Sequence, residues 1–114
     1  MHKLTIEAEK ICDVVKKFHC SSIEQLQTII NDPTKDASKT AHFLVLKQYF
    51  DLVDGKYITV RKHNRVNSDD IDCLWAVIDS MMYGDKFDYE TFTSIYKTPN
   101  GDRIVSFGYY GYDG

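Results

Sequence analysis

Residues 38–60 read SKTAHFLVLKQYFDLVDGKYITV, and how this stretch divides decides the fold. From Ser38 onward Ala41, Leu44, Val45, Tyr49 and Leu52 recur at spacings of three and four, which predicts a helix with one apolar face. Asp54-Gly55 marks a tight turn, because such a turn needs positive backbone angles that Gly55 adopts without steric cost. Phe50-Asp51-Leu52-Val53 and Lys56-Tyr57-Ile58-Thr59-Val60, on either side of it, have strand composition. The stretch therefore reads as a helix running into a two-stranded hairpin.

Upstream, Leu4, Ala8, Ile11, Val15 and Phe18 form one apolar stripe over residues 4–18, with Cys12 and Val14 beside it. Glu7, Glu9, Lys10, Lys16 and Lys17 make the opposite, polar face. A second helix opens at Ser21-Ser22-Ile23-Glu24-Gln25, where either serine can cap and Glu24 or Gln25 can reach back to complete a capping box. Ile23, Leu26, Ile29 and Ile30 point inward, and Asn31-Asp32-Pro33-Thr34 ends the helix because proline cannot continue the backbone ladder. Downstream, Asn67 or Ser68 caps a fourth helix over residues 69–82, with Ile71, Leu74, Trp75, Ile78 and Met82 as its stripe and Gly84 as its stop. Residues 91–97 and 103–107 read as two strands joined through Asn100-Gly101.

Of the 114 residues, 43% are hydrophobic and 27% charged, proportions that allow a packed core and argue against disorder. No stretch approaches the ~20 apolar residues that cross a bilayer. The opening MHKLTIEAEK is too charged for a signal peptide, so a cytoplasmic chain is expected. Cys12, Cys20 and Cys73 are odd in number and lack C-x-x-C spacing, and they read as reduced core thiols. His2, His19, His42 and His63 have no ligand-like spacing, so neither a metal nor a cofactor is expected. There is no phosphate-cradling glycine loop and no serine elbow, which points to a non-enzymatic protein.

Three helices and a hairpin in this order resemble a winged helix-turn-helix domain. The likeness rests on the leading helix to His19, the Ser22-Ile23-Glu24-Gln25-Leu26 opening, the Ser38-Lys39-Thr40-Ala41 start and Asp54-Gly55-Lys56-Tyr57-Ile58. The rest of the chain is similar to the short extension found on small winged-helix proteins of Gram-positive conjugative elements. It shows no Asp followed by Glu-x-Lys on a strand, so nuclease chemistry is not carried over. The expected fold class is thus α+β: a three-helix, winged-helix-like domain with a two-stranded wing at 1–66, and at 67–114 a helix plus β-hairpin extension packed on it.

The resemblance implies that the third helix meets a DNA groove and the wing meets phosphates. Lys39, Lys47, Lys56, Arg61, Lys62 and Arg65 are the candidate nucleic-acid contacts, since cations gain affinity by displacing counterions whatever the base sequence. The outward arc of the third helix also holds Phe43, Leu46 and Phe50, where a base-reading face would hold Arg, Asn, Gln or Ser. These three are either covered by the Trp75 helix or the carboxy-terminal hairpin, or are offered to a protein partner.

Charge divides the chain. Residues 1–65 hold 11 Lys and Arg against 8 Asp and Glu, whereas residues 66–114 hold 3 against 9. Asp85, Asp88 and Glu90 are either part of a solvated surface or a face for a basic partner, and Tyr109, Tyr110 and Tyr112 suit stacking, an interface or an edge strand. The leading expectation is a nucleic-acid-binding regulator or accessory factor of a mobile element. The alternative is an inhibitor that blocks a nucleic-acid enzyme, such as an anti-CRISPR protein on a Cas nuclease. The partner is accordingly nucleic acid or a nucleic-acid-processing protein, with a homodimer as a further arrangement and no membrane.

Overall fold

The computed structural model describes residues 4–62 and 65–96. Its elements follow in the order α1 (Ile6–Phe18), β1 (Cys20–Ser22), α2 (Ile23–Ile30), α3 (Ala37–Leu46), β2 (Phe50–Val53), β3 (Tyr57–Val60), α4 (Ser68–Ser80), β4 (Met82–Tyr83), β5 (Lys86–Phe87) and α5 (Tyr89–Tyr96). The class is α+β. Among the described residues no helix is long and apolar enough to cross a membrane.

Local chemistry accounts for most of these boundaries. Thr5 caps α1 by accepting from the Ala8 amide, and α1 ends at His19 in the left-handed conformation. Ser22 and Gln25 form the capping box that starts α2: the Gln25 amide donates to Ser22 Oγ and the Ser22 amide donates to Gln25 Oε1. Asp54 and Gly55 both take positive φ, +54° and +67°, and the Lys56 amide closes the turn on the Val53 carbonyl at 3.1 Å. That is the two-residue turn whose twist suits a hairpin. β3 is the central strand of an antiparallel sheet ordered β1-β3-β2, with Cys20 opposite Thr59 and Phe50 opposite Val60.

One apolar cluster joins Ile11, Val15 and Phe18 of α1, Leu26 and Ile29 of α2 and Leu44 of α3 to Leu74 and Ile78 of α4. A hydrogen bond runs alongside it. Gln25 is fully buried and its Nε2 donates to the Ile71 carbonyl at 2.8 Å, tying the start of α2 to α4.

Besides the bounds of α3, the structure departs from the expected elements in four places. β1 is a third strand at residues expected only to link two helices; three residues carry no periodicity of their own, and pairing with β3 makes them a strand. Residues 91–97 have strand composition, but α5 is a helix to Tyr96. Phe92 and Tyr96, four apart, stack into a cluster with Phe18 and Phe87 at centroid distances of 5.3–6.3 Å, and this packing outweighs the β preference of Thr, Phe and Ile. α4 stops at Ser80, and Gly84, at φ +67°, forms the β4–β5 turn instead. Lys17, expected on the polar face of α1, is buried at the edge of the apolar arc. The expected strand at 103–107 lies outside the described residues.

Candidate nucleic-acid interface

α3 is held by its ends. Asp36 Oδ1 accepts from the Ser38 amide at 2.9 Å, so the helix starts at Ala37, one residue before Ser38. Gln27 spans the α2–α3 connection: its Oε1 accepts from the Ala37 amide and its Nε2 donates to the Lys35 carbonyl, each at 2.9 Å. Ala37, Ala41 and Leu44 are buried, and this inward stripe turns Lys39, His42, Phe43, Leu46 and Lys47 to solvent.

That exposed arc is basic and apolar together. Phe43 is 46% exposed and Leu46 81%, and the Lys47 Nζ sits 5.7 Å from the Phe43 ring centroid. His42 Nδ1 lies 2.7 Å from the Ser38 carbonyl, a contact that requires the proton on Nδ1. Among the described residues neither Lys39 nor Lys47 is in an ion pair. α3 contains no Asp or Glu, whereas α1, α2, α4 and α5 each carry at least one.

Beside the arc is a cavity of about 580 Å³ lined by Thr5, Lys39, Thr40, Phe43, Lys47 and Tyr49, with Leu4 at its α1 side. A second cavity of about 530 Å³ shares Leu4 and Tyr49 with it and adds Glu9, Asp13 and Lys16 of α1. The two make one groove between α1 and the end of α3, basic at one end and mixed in charge at the other.

The hairpin divides its cations between two ends ~13 Å apart, the length of a four-residue strand. Lys56 lies in the turn, where its carbonyl accepts from the Ile23 amide, and it lines a cleft with Ser38 at the start of α3. Arg61 lies at the opposite end, against Gln48 and Asp51. Its Nη1 donates to the Gln48 carbonyl at 2.9 Å and its Nε is 3.6 Å from Asp51 Oδ1, so this guanidinium already braces the chain after α3. Lys62 donates its backbone amide to Asp51 at 3.0 Å, and its side chain is exposed, as is that of Arg65.

The residues expected to meet a protein partner separate. Phe43 and Leu46 share the exposed arc, but Phe50 is 3% exposed and belongs to the core. A helical wheel continued through Phe50 places it outward; the helix in fact ends at Leu46, Gln48 turns to φ +66°, and Phe50 opens β2 facing inward. α4 packs chiefly on β1 and α2, so it leaves Phe43 and Leu46 uncovered. Asp85 and Glu90 are exposed. Asp88 is engaged in structure: its carboxylate accepts from the Thr91 amide at 3.1 Å and the Thr91 hydroxyl at 2.6 Å, which caps α5 and holds the carboxyl below its ordinary range. Tyr109, Tyr110 and Tyr112 lie outside the described residues.

Two surface residues escape the reading of the sequence. His42 sits three residues after Lys39 and four before Leu46, spacing that already places it on their arc. Tyr49 falls on the inward stripe of a continued helix, and only the helix end at Leu46 brings it to the groove. Burial pushes the thiols of Cys12, Cys20 and Cys73 up, so all three stay protonated near neutral pH and lack the thiolate a nucleophile needs. Among the described residues no group of three or more His, Cys, Asp or Glu stands where it could hold a metal ion. What the surface offers is attraction for an anion beside exposed rings. No protein-family model, curated protein or solved structure matches this chain.

Proposed function

We propose that the chain is a non-enzymatic nucleic-acid-binding module of winged-helix type, acting as a regulator or accessory factor, with α3 as its contact helix and the β2–β3 hairpin as its wing. One observation carries this: α3 is the one described helix without a carboxylate, and its exposed arc holds Lys39, His42 and Lys47. A polyanion meets attraction there and repulsion at the acidic first turn of α4. The order of three helices before a hairpin supports the winged-helix assignment, and the mobile-element setting rests on the sequence resemblance of residues 67–114, in which α5 replaces the first strand of the expected hairpin. The test is fluorescence anisotropy with labelled single-stranded and duplex oligonucleotides at two salt concentrations. Replacing Lys39 and Lys47 by Gln should weaken binding and flatten the salt slope by roughly 0.7–0.9 for each phosphate no longer neutralised. Failure of the parent protein to bind either form at low salt overturns the proposal.

A second reading, an inhibitor that occupies the basic channel of a nucleic-acid enzyme, is favoured by the exposed carboxylates Asp69, Asp72, Asp79, Asp85 and Glu90. Its support is charge alone, and it leaves the basic arc of α3 without a role.

A further inference from the structure

Resting on that nucleic-acid assignment, we infer that the groove between α1 and α3 takes single-stranded nucleic acid in preference to duplex, with unpaired bases stacked on Phe43 and Tyr49. Three features of the groove lead there. First, its α3 end is lined by two half-exposed rings, Phe43 at 46% and Tyr49 at 43%, and by no carboxylate. Second, Lys39 and Lys47 stand four residues before and after Phe43, one helical turn or ~6 Å to either side; the Lys47 ammonium lies over the ring at 5.7 Å and moves to a backbone phosphate when a base takes that face. Third, Thr5 and Thr40 add hydroxyl groups to the same lining.

A duplex cannot offer its base faces to these rings. They are stacked inside, and for the groove edges that a duplex does display α3 has no Arg, Asn or Gln, only Ser38, Lys39 and Thr40 near its start and Lys47 just past its end. Unpaired bases present their faces, and each has a π surface that an aromatic side chain can meet, which makes stacking tolerant of sequence. The rings border an open groove and are half-exposed, so an incoming base can reach their faces. The occupant is further oriented by charge. The adjoining cavity is mixed in charge, with Glu9, Asp13 and Lys16, whereas the α3 end carries Lys39 and Lys47 and no carboxylate, so the phosphates are placed along α3 between those two lysines.

The experiment compares a labelled oligothymidylate of about 12 nucleotides, within the usual site sizes of such modules, with a duplex of equal length. Single-strand binding tighter than duplex by about tenfold or more is expected, and Phe43→Ala should weaken it by about 5- to 150-fold with little change in salt slope, as loss of one stacked base implies. Phe43→Trp should restore affinity, because the ring and not the particular residue is needed; the position is exposed, and folding is checked by thermal melting. Equal or tighter duplex binding, or unchanged single-strand affinity in Phe43→Ala, overturns the inference while leaving nucleic-acid binding by α3 in place. Absence of binding to either form removes the underlying assignment as well.

Discussion

Gln25 and Ile71 are 46 residues apart, and the side-chain amide of the first donates to the carbonyl of the second at 2.8 Å. The same side chain accepts the Ser22 amide at 2.9 Å, so one buried residue both starts α2 and fastens it to α4. Gln25→Leu keeps the volume but removes both bonds, and should cost about 1–2 kcal/mol, lowering Tm by roughly 5 °C or more. Gln25→Glu keeps the acceptor for Ser22 but turns a carboxylate toward a carbonyl. Burial raises the pKa of such a group, so its stability is present at low pH and lost as pH rises through the raised value. Melts of the Glu variant should approach the parent near pH 4 and fall below it by pH 7. Equal Tm at both pH values would show that the bond to Ile71 does not contribute.

A chain ending at Val66 loses Leu74, Val77 and Ile78 of α4 and Met81 just after it, and with them Phe87, Phe92 and Tyr96, from the cluster that covers α1 and α2. Each buried apolar side chain of this size contributes about 1.5–3 kcal/mol, and several together exceed the whole stability of a small domain. The shortened chain should therefore aggregate or melt without cooperativity. A monomeric form with a sharp circular-dichroism transition would show that the first three helices and their sheet suffice.

Asp88 contributes to stability in a pH-dependent way. The Thr91 hydroxyl, and then its amide, hold the Asp88 carboxyl below its ordinary value of 3.8. A group lowered in this way stabilises the fold above its unfolded pKa, and that stability is lost as pH falls through the folded one. Asp88→Asn can still cap α5 but cannot titrate, so its Tm should fall less steeply than the parent's between pH 5 and pH 2. Parallel Tm profiles for the two proteins would rule the carboxylate out as a source of acid sensitivity.

Asp85 and Glu90 separate the two functional readings. With Asp88 left in place to cap α5, changing Asp85 to Asn and Glu90 to Gln removes two exposed charges. For a nucleic-acid binder these charges act only as repulsion, so affinity should be unchanged or rise at low salt, within the ~10 Å reach of charges at 0.1 M. For an inhibitor of a nucleic-acid enzyme, association should slow and inhibition weaken. Anisotropy with an oligonucleotide and a nuclease inhibition assay on the same variant distinguish them.

Along the chain, what the sequence determined alone is what neighbours within four residues decide. The stripes of α1 and α2, the Ser22–Gln25 capping box, the proline stop after Ile30 and the Asp54-Gly55 turn depend on local spacing and backbone preference, and all stand where the residues put them. The basic residues of α3 were legible for the same reason. Tertiary structure decided the rest. β1 exists because β3 offers it a partner. α5 is helical because Phe92 and Tyr96 find Phe18, about 75 residues earlier, a contact no window of sequence contains. Phe50 is buried because α3 ends at Leu46 and the chain reverses at Gln48 to enter the sheet, which exchanges a helical period for a strand's and turns one ring inward. The groove itself belongs to this second class, since Leu4 and Thr5 meet Phe43 and Tyr49 only when α1 crosses the end of α3.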